Sequence, residues 1–295
     1  MRYGIIDVGS NTIRGVAYET EGNRAVKVED KLVKSHILDS IENNSLNESG
    51  LELLIAVLNK LRELLFAADC KVVHCFATAS LRGLDNIEDI KRNVYETTGI
   101  IVDVLSGDEE AECDFIALRS SIPERSAIGI DLGGGSCQLM QFERDKLLYS
   151  NSFDIGSRRL KNRFVSGRLP TAQERKDIEF YVRNALAGTF NLFGSRYIYA
   201  MGGTAKSTLR LHNCMTISAG DGGFISIEKI DKLFRLVDSD PDKMYDIFTR
   251  VVKKRADTIV PGIMILRTIC DFLDVEGFYV LKCSVRDGYL TKIIE

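Results

Sequence analysis

Two copies of one sequence pattern stand at Ile6-Asp7-Val8-Gly9-Ser10-Asn11 and Ile130-Asp131-Leu132-Gly133-Gly134-Gly135-Ser136. In each copy an aspartate ends an apolar, β-branched run, and small residues follow at once. Such a run predicts a buried strand, and the small residues predict a tight hairpin whose amides can approach an anion closely. The two aspartates are 131 − 7 = 124 residues apart in a chain of 295. We therefore expect a duplicated domain with a phosphate group held in the cleft between the two halves.

Length and composition favour two domains and exclude some partners. A chain of 295 residues that is 45% hydrophobic can bury two ordinary cores, since domains usually hold roughly 100–200 residues. The formal net charge is −3 and the isoelectric point is about 5.8, so no overall positive field would hold nucleic acid or an anionic membrane. No apolar stretch approaches the roughly 20 residues that span a bilayer, and the N-terminus lacks a signal-type segment. We expect a soluble, cytoplasmic protein.

The cysteines and histidines argue against disulfides and against a histidine metal site. The seven cysteines include no Cys-x-x-Cys spacing and are odd in number, so reduced thiols are expected. The three histidines share no ligand spacing. Any metal would therefore need oxygen ligands.

Each half of the sequence shows the same order of predicted elements. Three strand candidates open each half, which predicts a β-meander in both: Arg2–Asp7, Thr12–Glu19 and Arg24–Val33, then Ser126–Asp131, Cys137–Glu143 and Lys146–Phe153. Helices follow, including one over 51–65 with a leucine stripe and one that begins at a capping box of Thr171 and Glu174. His212–Gly223 is interpreted as a mobile surface loop. A mixed α/β architecture results.

Six motifs follow one another between positions 7 and 262: Asp7-Val8-Gly9-Ser10-Asn11-Thr12, Ala77-Thr78-Ala79-Ser80-Leu81-Arg82 with Asn86, Ser106-Gly107-Asp108-Glu109-Glu110-Ala111, Asp131-Leu132-Gly133-Gly134-Gly135-Ser136, Gly202-Gly203-Thr204-Ala205, and Arg255-Ala256-Asp257 with Pro261-Gly262. In this order they resemble the motifs of the exopolyphosphatase and guanosine pentaphosphate phosphohydrolase family, within the actin, sugar-kinase and heat-shock-chaperone superfamily.

The resemblance implies two ribonuclease-H-like α/β domains. Each would have a mixed five-stranded sheet flanked by helices, and the active site would lie in the cleft between the domains. We place the N-terminal domain at residues 1–120 and the C-terminal domain at 121–283, with a final helix over about 284–295 packing back on the first. Relatives commonly dimerise, so a homodimer is expected.

Hydrolysis of a terminal phosphoryl group needs amide donors for the phosphate, cations that neutralise its charge, and a base that orients an in-line water. Glu110 matches the family's catalytic glutamate, the second in Ser-Gly-x-Glu-Glu-Ala, so the resemblance implies that Glu110 activates the water. Composition alone would favour acids that merely complement a helix start: Asp108, Glu109, Glu110, Glu112 and Asp114. The candidates for two amide cradles are Gly9, Ser10, Asn11 and Gly133, Gly134, Gly135, Ser136.

Further phosphate contacts are expected from cations and from the Gly-Gly-Thr turn. The resemblance places Arg82 at the family's phosphate-binding arginine, which suits bidentate contact. Gly203 and Thr204 belong to a matched motif. Lys206 and Arg255 are additional candidates, with solvated charges as the alternative. A run of four basic residues either guides a polyanion or forms a solvent-exposed helix face: Arg158, Arg159, Lys161 and Arg163.

The resemblance also implies a divalent metal, Mg²⁺ or Mn²⁺, with Asp131 as a ligand. The glutamate that normally follows Gly-Gly-Gly-Ser-x is Gln138 in this chain. An amide oxygen donates without neutralising charge, so the affinity for the ion is expected to fall. Asp7 is a candidate for a compensating, water-mediated ligand.

Three functions remain open. The first is an enzyme that releases orthophosphate from inorganic polyphosphate or removes the terminal phosphate of guanosine pentaphosphate. The second, suggested by Gln138, is a weakly active or inactive sensor that binds polyphosphate or a guanosine alarmone. The third is a superfamily small-molecule kinase, against which stand the setting of Glu110 and the lack of a sugar-specific segment.

Overall fold

The computed structural model describes residues 1–22, 24–144, 146–189, 195–215 and 223–294. Contacts divide the chain into two units: Met1–Glu110 with Tyr289–Glu295 (unit 1), and Ala111–Gly288 (unit 2). The first division falls inside a helix, Gly107–Arg119, whereas we placed the boundary at 120, after that helix ends. The second falls inside the last helix, after Gly288.

Unit 1 is built on a mixed sheet whose strands lie in the order β3-β2-β1-β6-β7. The meander β1–β3 is antiparallel, as predicted, and β6 pairs in parallel with β1 and β7. Helix α1 lays its leucine stripe on this sheet, with Leu54, Leu58 and Leu61 fully buried, because residues three and four apart share a helix face. The elements are β1 Arg2–Val8, β2 Thr12–Glu21, β3 Arg24–Lys34, β4 Ile41–Glu42, β5 Ser45–Leu46, α1 Glu48–Ala67, β6 Val72–Ala77, α2 Ile87–Thr98, β7 Val102–Val104 and the start of α3 Gly107–Arg119.

Unit 2 repeats this plan, with strands in the order β10-β9-β8-β11-β13-β12. Among the described residues of unit 2 this sheet has six strands rather than the expected five. The added strand, β12, is three residues long and pairs antiparallel with β13, so it is too short to show a periodic signal in the sequence. The elements are β8 Ser126–Leu132, β9 Cys137–Glu143, β10 Lys146–Phe153, α4 Ser157–Phe164, α5 Ala172–Leu186, β11 Ile198–Met201, α6 Gly202–Met215, β12 Phe224–Ser226, α7 Ile227–Ser239, α8 Pro241–Val251, α9 Ile259–Phe272, β13 Gly277–Val280 and α10 Val285–Ile294.

Local predictions had different outcomes. The capping box of Thr171 and Glu174 is confirmed at the start of α5. The loop expected over His212–Gly223 begins later than predicted, because α6 continues to Met215, and residues 216–222 lie outside the described part of the chain. None of the helices in the described ranges combines the length and apolar character needed to cross a bilayer.

The two glycine-containing hairpins have the same geometry, which confirms the predicted duplication. The amide of Gly9 donates to the carbonyl oxygen of Thr12 at 3.1 Å, and that of Gly133 donates to Ser136 at 3.0 Å. Strand pairing is equivalent on both sides of each turn. Asp7 therefore faces Arg14 in the ladder as Asp131 faces Gln138.

Candidate active site

The glycine hairpin of unit 2, residues 133–136, is bound on one side by the start of α4. The amides of Gly156, Ser157 and Arg158 donate to its three glycine carbonyls at 3.2, 3.1 and 2.9 Å. The backbones can approach this closely because residue 156 has no side chain: a methyl group there would overlap the carbonyl of Gly134. The amides of the helix start are thus used to orient the hairpin.

This orientation determines where the hairpin amides point. In a trans peptide the N–H and the preceding C=O point in opposite directions, and no peptide bond described in the structure is cis. The N–H groups of Gly134, Gly135 and Ser136 therefore point away from α4. None of the three donates a hydrogen bond to any described residue. Successive N–H groups of this kind form a concave nest that suits an anion.

Two further predicted motifs meet the hairpin within unit 2. The guanidinium group of Arg255 lies against the backbone of Gly203. Gly262 of α9 packs against Thr204 and Ser157, and the hydroxyl of Ser157 donates to the carbonyl of Gly133 at 3.2 Å. The structure therefore brings Gly203, Thr204 and Arg255 into one cluster with the glycine hairpin.

Lys206 has backbone partners within unit 2. Its ammonium group donates to the carbonyl oxygens of Lys282 and Cys283 at 2.8 and 2.9 Å. These bonds hold the backbone that follows β13. A contact between Lys206 and a phosphate stays a prediction.

Three arginines in the basic run of α4 have partners within unit 2. Arg158 is buried and pairs with Asp257 at 2.8 Å. Arg159 contacts Asp154 at 3.2 Å and donates to the carbonyl of the hairpin's third glycine at 2.9 Å. The guanidinium group of Arg163 stacks on the ring of Tyr181. These contacts contribute to packing and hairpin support, and guidance of a polyanion by this run stays a prediction.

The candidate metal ligands of unit 2 supply a single carboxylate. Asp131 lies against Gly202, beside its ladder partner Gln138. The amide nitrogen of Gln138 donates to the hydroxyls of Ser136 and Ser152 at 2.9 and 3.1 Å. Over the described ranges, no three or more His, Cys, Asp or Glu side chains are grouped to hold a metal ion. One carboxylate and a neutral amide do not fit a tight magnesium site, which favours several charged oxygens.

The hairpin of unit 1 is tied to its surroundings by its own backbone. Ser10 and Asn11 are almost fully buried, and the carbonyl of Asn11 accepts from the amides of Ser35 and His36 at 3.2 and 3.3 Å. The hydroxyl of Ser80 donates to the carbonyl of Val8. The Thr78-Ala79-Ser80 motif is thereby joined to the first hairpin.

Asp7, the candidate water-mediated ligand, has a cation as its ladder partner. That partner, Arg14, forms an ion pair with Asp30 of β3, with 2.6 Å between Nε and Oδ1. The residue directly opposite Asp7 in the ladder is therefore a cation that is already paired, and it is not a second carboxylate.

In the first turn of α3, the catalytic candidate Glu110 and its neighbour Glu109 have different partners. Glu109 forms a capping box with Ser106: its carboxylate accepts from the Ser106 amide at 2.8 Å, and its amide donates to the Ser106 hydroxyl at 3.1 Å. The backbone hydrogen bond from Ser106 is the main reason that the pKa of Glu109 is lowered. Glu110 is buried, 6% exposed, and its Oε2 contacts the guanidinium group of Arg82. The predicted base and the predicted phosphate-binding arginine are therefore direct partners.

Sequence reasoning missed Gly156 and Ser157, which hold the glycine hairpin. A signal was available in the repeat. In both units the residues just after the third strand of the meander donate their amides to the hairpin, as Ser35 does in unit 1. A glycine followed by serine at the start of a helix, three residues after β10 ends, marks that position.

Fold and site define the class of this protein: two mixed α/β units of one plan, each with an aspartate-ended strand and a tight hairpin. The sequence model of the Ppx/GppA phosphatase family matches residues 25–295. The chain belongs to this family.

Two relatives of known structure share the fold over the whole chain, and a third relative is similar in sequence. The crystal structure of an exopolyphosphatase from Cytophaga hutchinsonii superposes with a TM-score of 0.86 at 19% identity, covering 100% of this chain and 98% of that one. The Aquifex aeolicus Ppx/GppA family member superposes with a TM-score of 0.81 at 22% identity, covering 100% and 97%. Exopolyphosphatase 1 of Mycobacterium leprae is 21% identical over 100% of this chain and 90% of its own length.

Proposed function

We propose that the protein hydrolyses phosphoanhydrides, removing the terminal phosphate of inorganic polyphosphate, of guanosine pentaphosphate, or of both. The observation that carries this proposal is the row of three N–H groups at Gly134, Gly135 and Ser136 that donate to no described residue. Preorganised N–H groups stabilise the charge of phosphoryl oxygens. Membership of a phosphatase family and relatives named exopolyphosphatase support this activity.

Glu110 is the proposed general base. Its carboxyl group is buried in contact with the guanidinium group of Arg82, and a positioned carboxylate can accept a proton from water. In the proposed reaction this water attacks the terminal phosphorus and Glu110 takes its proton. The bond between phosphorus and the bridging oxygen breaks, and the shortened chain leaves with the electron pair. The products are orthophosphate and a substrate one phosphate shorter.

Arg82 and the two hairpins are the proposed phosphate ligands. Arg82 is 25% exposed and has the planar fork that binds phosphoryl oxygens bidentately. Because the two hairpins have equivalent turns, we propose that each of them can hold a phosphoryl group. Arg255, fixed against Gly203, would neutralise charge on the next phosphate.

The proposed reaction assigns no step to a metal. A divalent ion, Mg²⁺ or Mn²⁺, would find Asp131 as its one carboxylate at the hairpin of unit 2, since Gln138 adds no charge. This donor set does not fit a tight site. Water activation is therefore assigned to Glu110.

The proposal is tested by measuring orthophosphate release from long-chain polyphosphate and from guanosine pentaphosphate, side by side, for wild type and Glu110→Gln. Loss of a general base is expected to lower the rate by about 10²–10⁴-fold. Glu112→Gln, an exposed acid on the same helix, is the matched control and should stay within about twofold. An unchanged rate in Glu110→Gln would show that the base is wrongly assigned. The ratio of the two wild-type rates identifies the preferred substrate.

A second candidate is a sensor that binds polyphosphate or a guanosine alarmone and turns it over slowly. The specific observation in its favour is the neutral Gln138 beside Asp131. Phosphate release by Gln138→Glu in the presence of Mg²⁺ separates the two functions. A large gain over wild type favours the sensor, and an equal or lower rate favours the enzyme.

A further inference from the structure

Gln138 is almost completely buried, at 1% exposure, directly below the glycine hairpin of unit 2. Its amide nitrogen donates to two hydroxyls, Ser136 Oγ at 2.9 Å and Ser152 Oγ at 3.1 Å. An amide NH₂ group has two hydrogens, so both are used. The two serines are thereby fixed as acceptors toward Gln138.

This arrangement leaves the hydroxyl hydrogen of Ser136 to be donated elsewhere. Ser136 is 4% exposed, and its hydroxyl donates to no acceptor in the described part of the chain. Its backbone N–H is the third member of the nest described above. Ser136 thus presents two hydrogen-bond donors, its hydroxyl and its N–H, beside the N–H groups of Gly134 and Gly135. An anion is the ligand that would accept hydrogen bonds from all of them.

We propose that Gln138 makes this hairpin a subsite that binds a phosphoryl oxyanion without a divalent cation, by holding Ser136 as a donor to the ligand. This inference rests on the proposed function, because it concerns the same hairpin. A carboxylate at position 138 would instead accept a hydrogen bond from the hydroxyl of Ser136. It would also place a second negative charge next to Asp131, and an anion would then need a cation between itself and the two carboxylates. The single amide group sets the ion requirement of the subsite.

The experiment measures binding of inorganic orthophosphate by isothermal titration calorimetry, once with EDTA and once with excess Mg²⁺. Orthophosphate is not hydrolysed, so the result does not depend on catalysis. Wild type is expected to bind with dissociation constants that agree within about twofold in the two conditions. Gln138→Glu is expected to bind at least about tenfold more weakly with EDTA and to recover when Mg²⁺ is added.

The serines provide a matched pair of variants. Ser136→Ala removes the proposed donor and is expected to weaken binding by about tenfold in both conditions, since hydrogen bonds to charged groups are among the stronger ones. Ser152→Ala removes the other hydroxyl that accepts from the same amide but lies on β10, and should match wild type. Gln138→Met, uncharged and of similar length, covers the case in which the glutamate variant does not fold. It should bind a few-fold more weakly than wild type in both conditions.

Three results would overturn the inference: wild-type binding that disappears with EDTA, Gln138→Glu binding as tightly as wild type with EDTA, or Ser136→Ala binding as tightly as wild type. The failure of the proposed function has a different signature, namely that wild type releases no orthophosphate from polyphosphate or from guanosine pentaphosphate. Metal-independent binding of orthophosphate would stand even if no such release were measured.

Discussion

Glu109 and Glu110 are adjacent in sequence, and their partners give them different chemistry. Glu109 is exposed and caps α3 through Ser106, as Glu174 caps α5 through Thr171. Glu110 is buried against Arg82. A helix start needs acids for its own amides, so a cluster of acids there says little about catalysis. Glu110 is different, because helix capping does not account for a buried acid that contacts an arginine.

Glu174 shows how a capping acid makes stability depend on pH. Burial acts to raise the pKa of its carboxyl, but the hydrogen bonds from Ser166 and Thr171 outweigh burial and lower that pKa to about 2. A depressed pKa means that the folded state favours the ionised form. The contribution of Glu174 to stability is therefore fully present above its ordinary pKa, 4.5, and is lost as the pH falls from there towards about 2.

We predict that Glu174→Gln lowers the free energy of unfolding by about 1 kcal/mol at pH 7, the usual size of a cap contribution. The difference from wild type should shrink as the pH is lowered below about 4.5, since the wild-type carboxylate is progressively protonated. Urea unfolding midpoints between pH 7 and pH 3 measure this. Asp177→Asn, an exposed acid of the same helix, is the control. A difference that stays constant or grows on acidification would contradict the assignment.

At the scale of elements, the site depends on how the start of α4 meets the glycine hairpin. Hairpins form from local sequence, and both were predicted because glycine and serine follow an apolar run at once. The contact by which α4 supports the hairpin joins segments that are distant in sequence, and no periodic pattern in the sequence indicates such a contact. The same holds for Lys206, whose carbonyl partners lie some 76 residues away, and for the pairing of Arg82 with Glu110.

The contact predicts a strong effect for a small change. Gly156→Ala would place a methyl group on the carbonyl of Gly134, so the helix start or the hairpin must shift and the three N–H groups lose their common direction. We expect phosphate release from polyphosphate to fall by about 10²-fold, because misplacement of a binding group by about 1 Å costs on that order. Gly167→Ala is the control: its nearest neighbour would be 3.7 Å away. Equal activity of the two variants would contradict the role of the α4 contact.

At the scale of the whole molecule, duplication accounts for most of what could be foreseen. The repeat predicted two sheets of equivalent order, and the ladders that place Asp7 opposite Arg14 and Asp131 opposite Gln138 confirm it. The sixth strand of unit 2 could not be foreseen, because three residues carry no period. The position of the unit boundary was also not readable, since it falls inside α3, where helical periodicity continues without a break.

The central claim is that the N–H groups of the glycine hairpin in unit 2 hold a phosphoryl group. The most direct measurement is an amide NMR titration of ¹⁵N-labelled, deuterated Glu110→Gln protein with tripolyphosphate, following the resonances of Gly134, Gly135 and Ser136. The account predicts that all three move together and report one dissociation constant, because a single bound phosphate contacts all three N–H groups. Resonances that stay in place at saturating tripolyphosphate, or different dissociation constants for the three residues, would contradict it.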